Sequence, residues 1–234
     1  MNSTVTKASS AALRLLHELL ETSQAGRVFT SEEAVTAGKA VGLSRGHVYK
    51  LLSELTRHGA LHRLRGHLYA MQAPFGGATP IRPLAIAVRA VDPAAVSGDT
   101  ALVHWGMQDQ APLHEEVIST PARMQWTQGL QADGTDRLWT VEGSTIRFRH
   151  VRHREMFGIT TVRLDSETVV PMFDRERTLL ELITGKTAGA AELATELLDT
   201  RREDIDFSRL KEYMDRLGIG AIPGRDIASA ASLA

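Results

Sequence analysis

Before Gly59, apolar residues recur twice at helical spacing. Ala12, Leu15, Leu16, Leu19 and Leu20 form the first stripe and predict an amphipathic helix over 10–24, closing near Gly26. An extended piece, Arg27–Phe29, comes next. Thr30 stands three residues ahead of Glu33, the capping-box spacing, in which each side chain satisfies a backbone N–H that the helix leaves open. A second helix should run from there to about Val41. Gly42 breaks it, Ser44 is placed to cap a third, and Leu43 and Val48 hold the staple positions around that cap. Val48, Leu51, Leu52 and Leu55 then make one apolar stripe, and Gly59 suits the end of the helix.

The opposite face of that third helix carries Arg45, His47, Tyr49, Lys50, Ser53 and Arg57. Two short helices joined by a glycine-containing turn, the second polar and basic outside, read as a helix-turn-helix. Leu61–Tyr69 reads as two short strands around a turn at Arg65-Gly66, a wing whose tip presents Arg63, Arg65 and His67. An α-helix fits the major groove, so Arg45, His47, Tyr49 and Lys50 are the candidates for base or groove contacts. Arg57, Arg63 and Arg65 are better placed against phosphates, and the free N–H groups of the helix start at Ser44 could take another. The competing reading is a helix-turn-helix used only for protein contacts.

Beyond a turn-rich stretch at 73–80, the pattern changes. Helices are expected over 83–91 and 98–107, then strands over 116–119, 137–141, 145–151, 159–164 and 168–173. Asp174–Ile183, Ala190–Leu198 and Phe207–Leu217 complete the list as helices, before an Ala/Ser-rich end expected to fray. The expected fold class is α+β, divided into a winged helix-turn-helix (1–72), a linker (73–80) and a mixed α/β domain (81–234).

The net charge of −1 hides an asymmetry. Residues 1–72 hold nine Lys/Arg against five Asp/Glu, or +4, while 73–234 hold eighteen against twenty-three, or −5. The front of the chain suits a polyanion such as double-stranded DNA and the back does not. There is no cysteine, which excludes disulfides, thiolate metal sites and a cysteine nucleophile. No membrane segment or secretory leader is evident, so a cytoplasmic protein is expected. No heptad run predicts a coiled coil, which leaves a monomer or a weak dimer formed on adjacent DNA half-sites.

Ala101–Gly106, Val117–Pro121, Phe157-Gly158 and Asp174–Leu182, in that order behind the winged helix, make the chain resemble the AbiEi family. These are antitoxins of type IV abortive-infection toxin–antitoxin systems. Met107–Gln110 departs mildly from the Leu-Thr-Glu-Gln frequent there. The resemblance implies a repressor that acts on its own operon through inverted repeats and counters a nucleotidyltransferase-like toxin. A stand-alone regulator without a toxin is the alternative within that class. A DNA- or RNA-acting enzyme with a winged-helix targeting domain is the alternative outside it.

Other constellations in the second part each have a plainer reading beside the functional one. Arg147, Arg149, Arg152 and Arg154 could make a secondary basic patch for DNA or an acidic toxin surface, or a charged strand edge that discourages aggregation. His150 and His153 have metal-ligand spacing, but on a strand they would face opposite ways. Asp165, Glu167, Asp174, Glu176 and Glu181 could be imagined as a metal-dependent nuclease centre. Asp165-Ser166 reads more simply as a turn, and Glu176, Arg177 and Glu181 as surface pairs on a helix whose Leu179, Leu180 and Leu182 pack on the sheet. Trp105, Trp126 and Trp139 read as buried anchors. No nucleotide-binding or nucleophile-elbow motif occurs, and neither catalytic residues, metal nor cofactor is expected.

Overall fold

A computed structural model describes residues 10–22, 27–72, 81–109, 115–119, 136–141, 143–165, 168–184 and 189–220. The 73–80 linker, Gly26, Gln110, Pro121, Trp126, Ser166, Glu167 and the Ala/Ser-rich end lie outside these. The chain divides into two compact units, Met1–Ala90 with Arg163–Val170, and Val91–Val162 with Pro171–Ala234. Both combine helices and strands, so the fold class is mixed α and β.

The first unit opens with α1 (Ser10–Thr22), β1 (Val28–Thr30), α2 (Ser31–Ala40) and α3 (Arg45–Arg57). Ala12, Leu15, Leu16 and Leu19 are buried, but Leu20 is 39% exposed: the helical period carries it out of the apolar stripe. The predicted capping box is present. The Thr30 hydroxyl accepts from Glu33 N at 3.2 Å, and the Glu33 carboxylate accepts from Thr30 N at 2.7 Å. At Gly38 the two helices approach so closely that a Cβ would stand 2.3 Å from Val48 Cγ2, a contact that only glycine permits. Val48 is fully buried in a cluster with Leu15, Phe29, Leu51, Leu52, Leu61 and Met71.

Strands β2 (Leu61–Arg65) and β3 (Leu68–Met71) form an antiparallel hairpin, and β1 pairs with β3 to give the order β1-β3-β2. The register shifts between Arg63 and Arg65, a local irregularity that twists the hairpin just before its turn. The turn is tied to the helices, because Ser31 N at the start of α2 donates to His67 O at 2.7 Å. One unsatisfied helix N–H is thereby used to anchor the hairpin.

Helix α4 (Pro83–Ala90) falls with the first unit rather than with the residues that follow it. Its Arg89 guanidinium bonds the second oxygen of Glu33, so one carboxylate both caps α2 and ties down α4. Burial of this half-buried carboxylate would raise its pKa. The bond from Thr30 N–H and then the Arg89 charge outweigh that and hold it below the ordinary glutamate value.

The second unit is built on β4 (Ala94–Ser97), α5 (Gly98–His104), β5 (Glu115–Ser119), β6 (Asp136–Val141), β7 (Ser144–His150), most of β8 (Ile159–Arg163) and of β9 (Val169–Phe173), whose facing ends at Arg163 and Val169–Val170 count with the first unit, and α6 (Arg175–Thr184), α7 (Ala190–Thr200) and α8 (Phe207–Leu217). The sheet runs β6-β7-β5-β4-β9-β8 and is mixed: β4 pairs antiparallel with β5 and parallel with β9, and β5 pairs parallel with β7. Strand β4, which the sequence pattern did not reveal, is central, and all four of its residues are buried. A strand covered on both faces shows no alternation, and Ala-Ala-Val-Ser is too short and small to stand out.

Two expectations for α6 are corrected. Glu176 and Arg177 are not surface residues, each being only 4% exposed. The Arg177 guanidinium lies 4.5 Å from the centre of the Phe173 ring and 3.9 Å from Glu181, which also meets Arg149 at 3.8 Å. Burial lowers the pKa of Arg177, with Glu181 acting against it. Leu179 and Leu180 are buried among the helices with Leu197, Leu198, Leu210 and Met214, with Leu182 half-buried beside them, rather than lying on the sheet.

Candidate nucleic-acid interface

Because Val48, Leu51, Leu52 and Leu55 turn inward, the helical period turns Arg45, His47, Tyr49, Lys50, Ser53 and Arg57 outward, and all six are exposed. Ser44 caps this helix as predicted, its hydroxyl accepting from His47 N at 3.3 Å. That bond occupies one of the free N–H groups that a phosphate could otherwise use. Lys50 and Arg57 make no ion pair with any described residue, so both charges stand open to solvent.

Arg45 is differently placed. Its Nη2 donates to Glu32 Oε1 at 2.6 Å and to the Tyr49 hydroxyl at 3.2 Å, and its guanidinium stands 5.6 Å from the Tyr49 ring centre. The Tyr49 hydroxyl in turn donates to the same Glu32 oxygen at 3.3 Å. The Tyr49 bond and then the Glu32 charge raise the pKa of Arg45. Glu32 was not among the sequence candidates. The capping box accounts for its neighbour Glu33, and only the crossing of α2 and α3 brings residues 32 and 45 together.

The hairpin residues are partly turned upon themselves. Arg63 Nε donates to Gly66 O at 2.6 Å, and its guanidinium lies 5.9 Å from the Tyr69 ring centre. Arg65 is half-buried, and burial lowers its pKa, while His67 is exposed. Between α3 and the hairpin lies an open groove of about 630 Å³, lined by Ser31, Tyr49, Ser53, Thr56, Arg57, Arg63, Gly66, His67 and Tyr69. It brings together Tyr49, Arg57, Arg63 and His67 of the residues chosen from sequence. Ser44, Arg45, His47, Lys50 and Arg65 do not line it. Hydroxyls with cationic side chains in one concavity are the donor set that binds a phosphodiester.

The arginines of the second unit occupy different environments. Arg147 and Arg149 alternate along β7 with the buried Ile146 and Phe148, and Arg149 is engaged by Glu181. Arg152 and Arg154 lie exposed beyond the strand, Arg152 beside Glu155 at 4.0 Å. His150 ends β7 and His153 starts a short 3-10 turn; among the described residues no His/Asp/Glu group is arranged to hold a metal. Trp105 is half-buried, and its indole N–H donates to Phe173 O at 2.8 Å.

A cavity of about 810 Å³ in this unit is lined by Trp105, Asp174, Arg175, Glu176, Asp204, Asp206, Arg209 and Tyr213 among others. Its carboxylates bind the helices to one another. Asp174 accepts from Tyr213 at 2.7 Å and from Arg177 N at 2.8 Å, and Glu176 accepts from Asp206 N at 2.8 Å. Burial, followed by the Asp174 bond, raises the pKa of Tyr213 above its ordinary value.

No family model matches the sequence, and no curated protein matches it. The chain is similar in structure to the RV2827C protein from Mycobacterium tuberculosis, at 19% identity and a TM-score of 0.47, over 97% of this chain and 76% of that one. Among the described residues no helix is long and apolar enough to cross a membrane.

Proposed function

We propose that this protein binds double-stranded DNA through α3 and the β2–β3 hairpin, as a winged helix-turn-helix repressor. The observation that carries the reading is the pairing of an outward face bearing Arg45, His47, Tyr49 and Lys50 with the groove beside it, where Arg57, Arg63 and His67 meet. A helix of this size enters the major groove, and the hairpin beside it reaches the flanking backbone. The +4 balance of residues 1–72 supports the same partner.

The resemblance to AbiEi antitoxins extends the proposal to the role of the whole chain: repression of its own operon through repeats, and neutralisation of a nucleotidyltransferase-like toxin by the second unit. In that unit the buried Glu176 and the half-buried Asp174 are taken up by hydrogen bonds from Asp206 N, Arg177 N and the Tyr213 hydroxyl, which supports a structural role for them over catalysis. Enrichment of duplexes from a random pool by the full-length protein tests DNA binding. A defined motif should emerge, and Lys50→Ala should abolish its enrichment. A pool that stays random, or one enriched equally by Lys50→Ala, contradicts the reading. Co-expression of the full chain with the adjacent open reading frame tests the antitoxin role through rescue of growth.

A further inference from the structure

We infer that Glu32 is a specificity-determining residue of the α3 face, which withholds Arg45 from DNA phosphates and yields it to neutral base-edge acceptors. The inference rests on the DNA-binding reading above and goes beyond it.

The clasp occupies a particular part of the guanidinium. Nη2 carries two protons, and it bonds both Glu32 Oε1 and the Tyr49 hydroxyl. A guanidinium offers two edges with paired donors, Nε with Nη2 and Nη1 with Nη2, and both need Nη2. While the clasp is closed, Arg45 has no complete fork for bidentate recognition. Glu32 also cancels its charge at 2.6 Å, so a closed Arg45 adds nothing to the general attraction for a polyanion.

The clasp does not hold the fold together. Its side chains are 63% and 65% exposed, where ion pairs contribute little to stability, so it is free to open on demand. The competing acceptors differ in charge. A phosphate offers two oxygens but brings a negative charge beside the Glu32 carboxylate, whereas guanine O6 and N7 are uncharged acceptors that fit the same fork. Glu32 therefore taxes backbone contacts more heavily than base contacts, and widens the gap between random and selected sequence.

The test uses full-length wild type, Glu32→Gln, Arg45→Ala and the double variant, with anisotropy titrations across a range of salt. The probes are a duplex of about 25 bp and random sequence, and a duplex of the same length enriched from the random pool. Glu32→Gln should bind the random duplex about tenfold more tightly, with a log–log salt slope steeper by about 0.9, the value of one further phosphate contact. The enriched duplex should gain less, so the ratio between the two falls. In the Arg45→Ala background the effect of Glu32→Gln should shrink. Coincident thermal melts establish that Glu32→Gln is folded. Unchanged or weaker random binding by Glu32→Gln, or equal gains on both duplexes, overturns the inference while leaving DNA binding intact. If wild type binds no duplex even at low salt, both readings fall.

Discussion

Gly38 on α2 and Val48 on α3 meet where a single methyl group would not fit: a Cβ at position 38 would stand 2.3 Å from Val48 Cγ2. This contact sets how closely α3 lies against α2, and so where its exposed face is presented. Gly38→Ala would gain about 1 kcal/mol of helix propensity. Overpacking a close-packed core costs about 1–3 kcal/mol, and the stiff β-branched side chain of Val48 cannot turn aside, so the clash should win. Denaturant melts of Gly38→Ala should show a net loss. In a Val48→Ala background, where the clashing methyl is gone, the same change should be neutral or favourable. Equal losses in both backgrounds would show that the contact is not the cause.

The Glu33 clamp predicts a dependence on acid. Its folded pKa is lowered, so its contribution is fully present above the unfolded value near 4.5 and fades as pH falls through the folded one. Glu33→Gln should thus be less stable than wild type at neutral pH, with the difference closing in acid. Thr30→Ala removes the reciprocal half of the capping box and should cost about 1 kcal/mol, most of it persisting in acid, since only the bond from its hydroxyl to the Glu33 carboxylate titrates. Urea melts of both variants at pH 7 and pH 4 separate the two effects. A Glu33→Gln deficit that stayed constant across that range would contradict this account.

Arg177 is a buried charge held by Glu181 and the Phe173 ring, and Glu181 is itself shared with Arg149. Removing one partner of a buried pair leaves the other unpaired at a cost of about 3–5 kcal/mol. Arg177→Ala should unfold the second unit at markedly lower denaturant. Arg177→Lys should recover only part of the loss, since an ammonium cannot spread over the ring as a planar guanidinium does. A drop below about 1 kcal/mol for Arg177→Ala would mean that this charge is not structurally required.

What the sequence reveals and what it conceals divide along the range of the interactions. The Thr30 capping box, the Ser44 cap and the Val48–Leu55 stripe lie within one helix each, and their spacing gives both the helices and the face that α3 exposes. Glu32 meets Arg45 only because two helices cross, and Arg89 of α4 finds its carboxylate partner 56 residues away. Neither relation leaves a local trace. Glu176 and Arg177 mislead in the opposite direction: charged residues on a helix are ordinarily solvated, but here the Phe173 ring and Glu181 take Arg177 inward, and Asp206 N–H and Arg209 take Glu176. The exposed face of α3 was legible, whereas the restraint on its first arginine was not.

The central claim, that α3 and the hairpin bind duplex DNA, is tested most directly by the salt dependence of binding in Lys50→Ala, Arg57→Ala and their combination. Both side chains are exposed and pair with no described residue, so the fold should be unaffected. If Arg57 meets a phosphate, its loss should weaken binding to all sequences alike and reduce the log–log slope by about 0.9. Lys50→Ala should instead erase most of the preference for the selected sequence, and the double variant should show both effects. Wild-type affinity, slope and sequence preference in the double variant would contradict it and place DNA binding elsewhere on the protein.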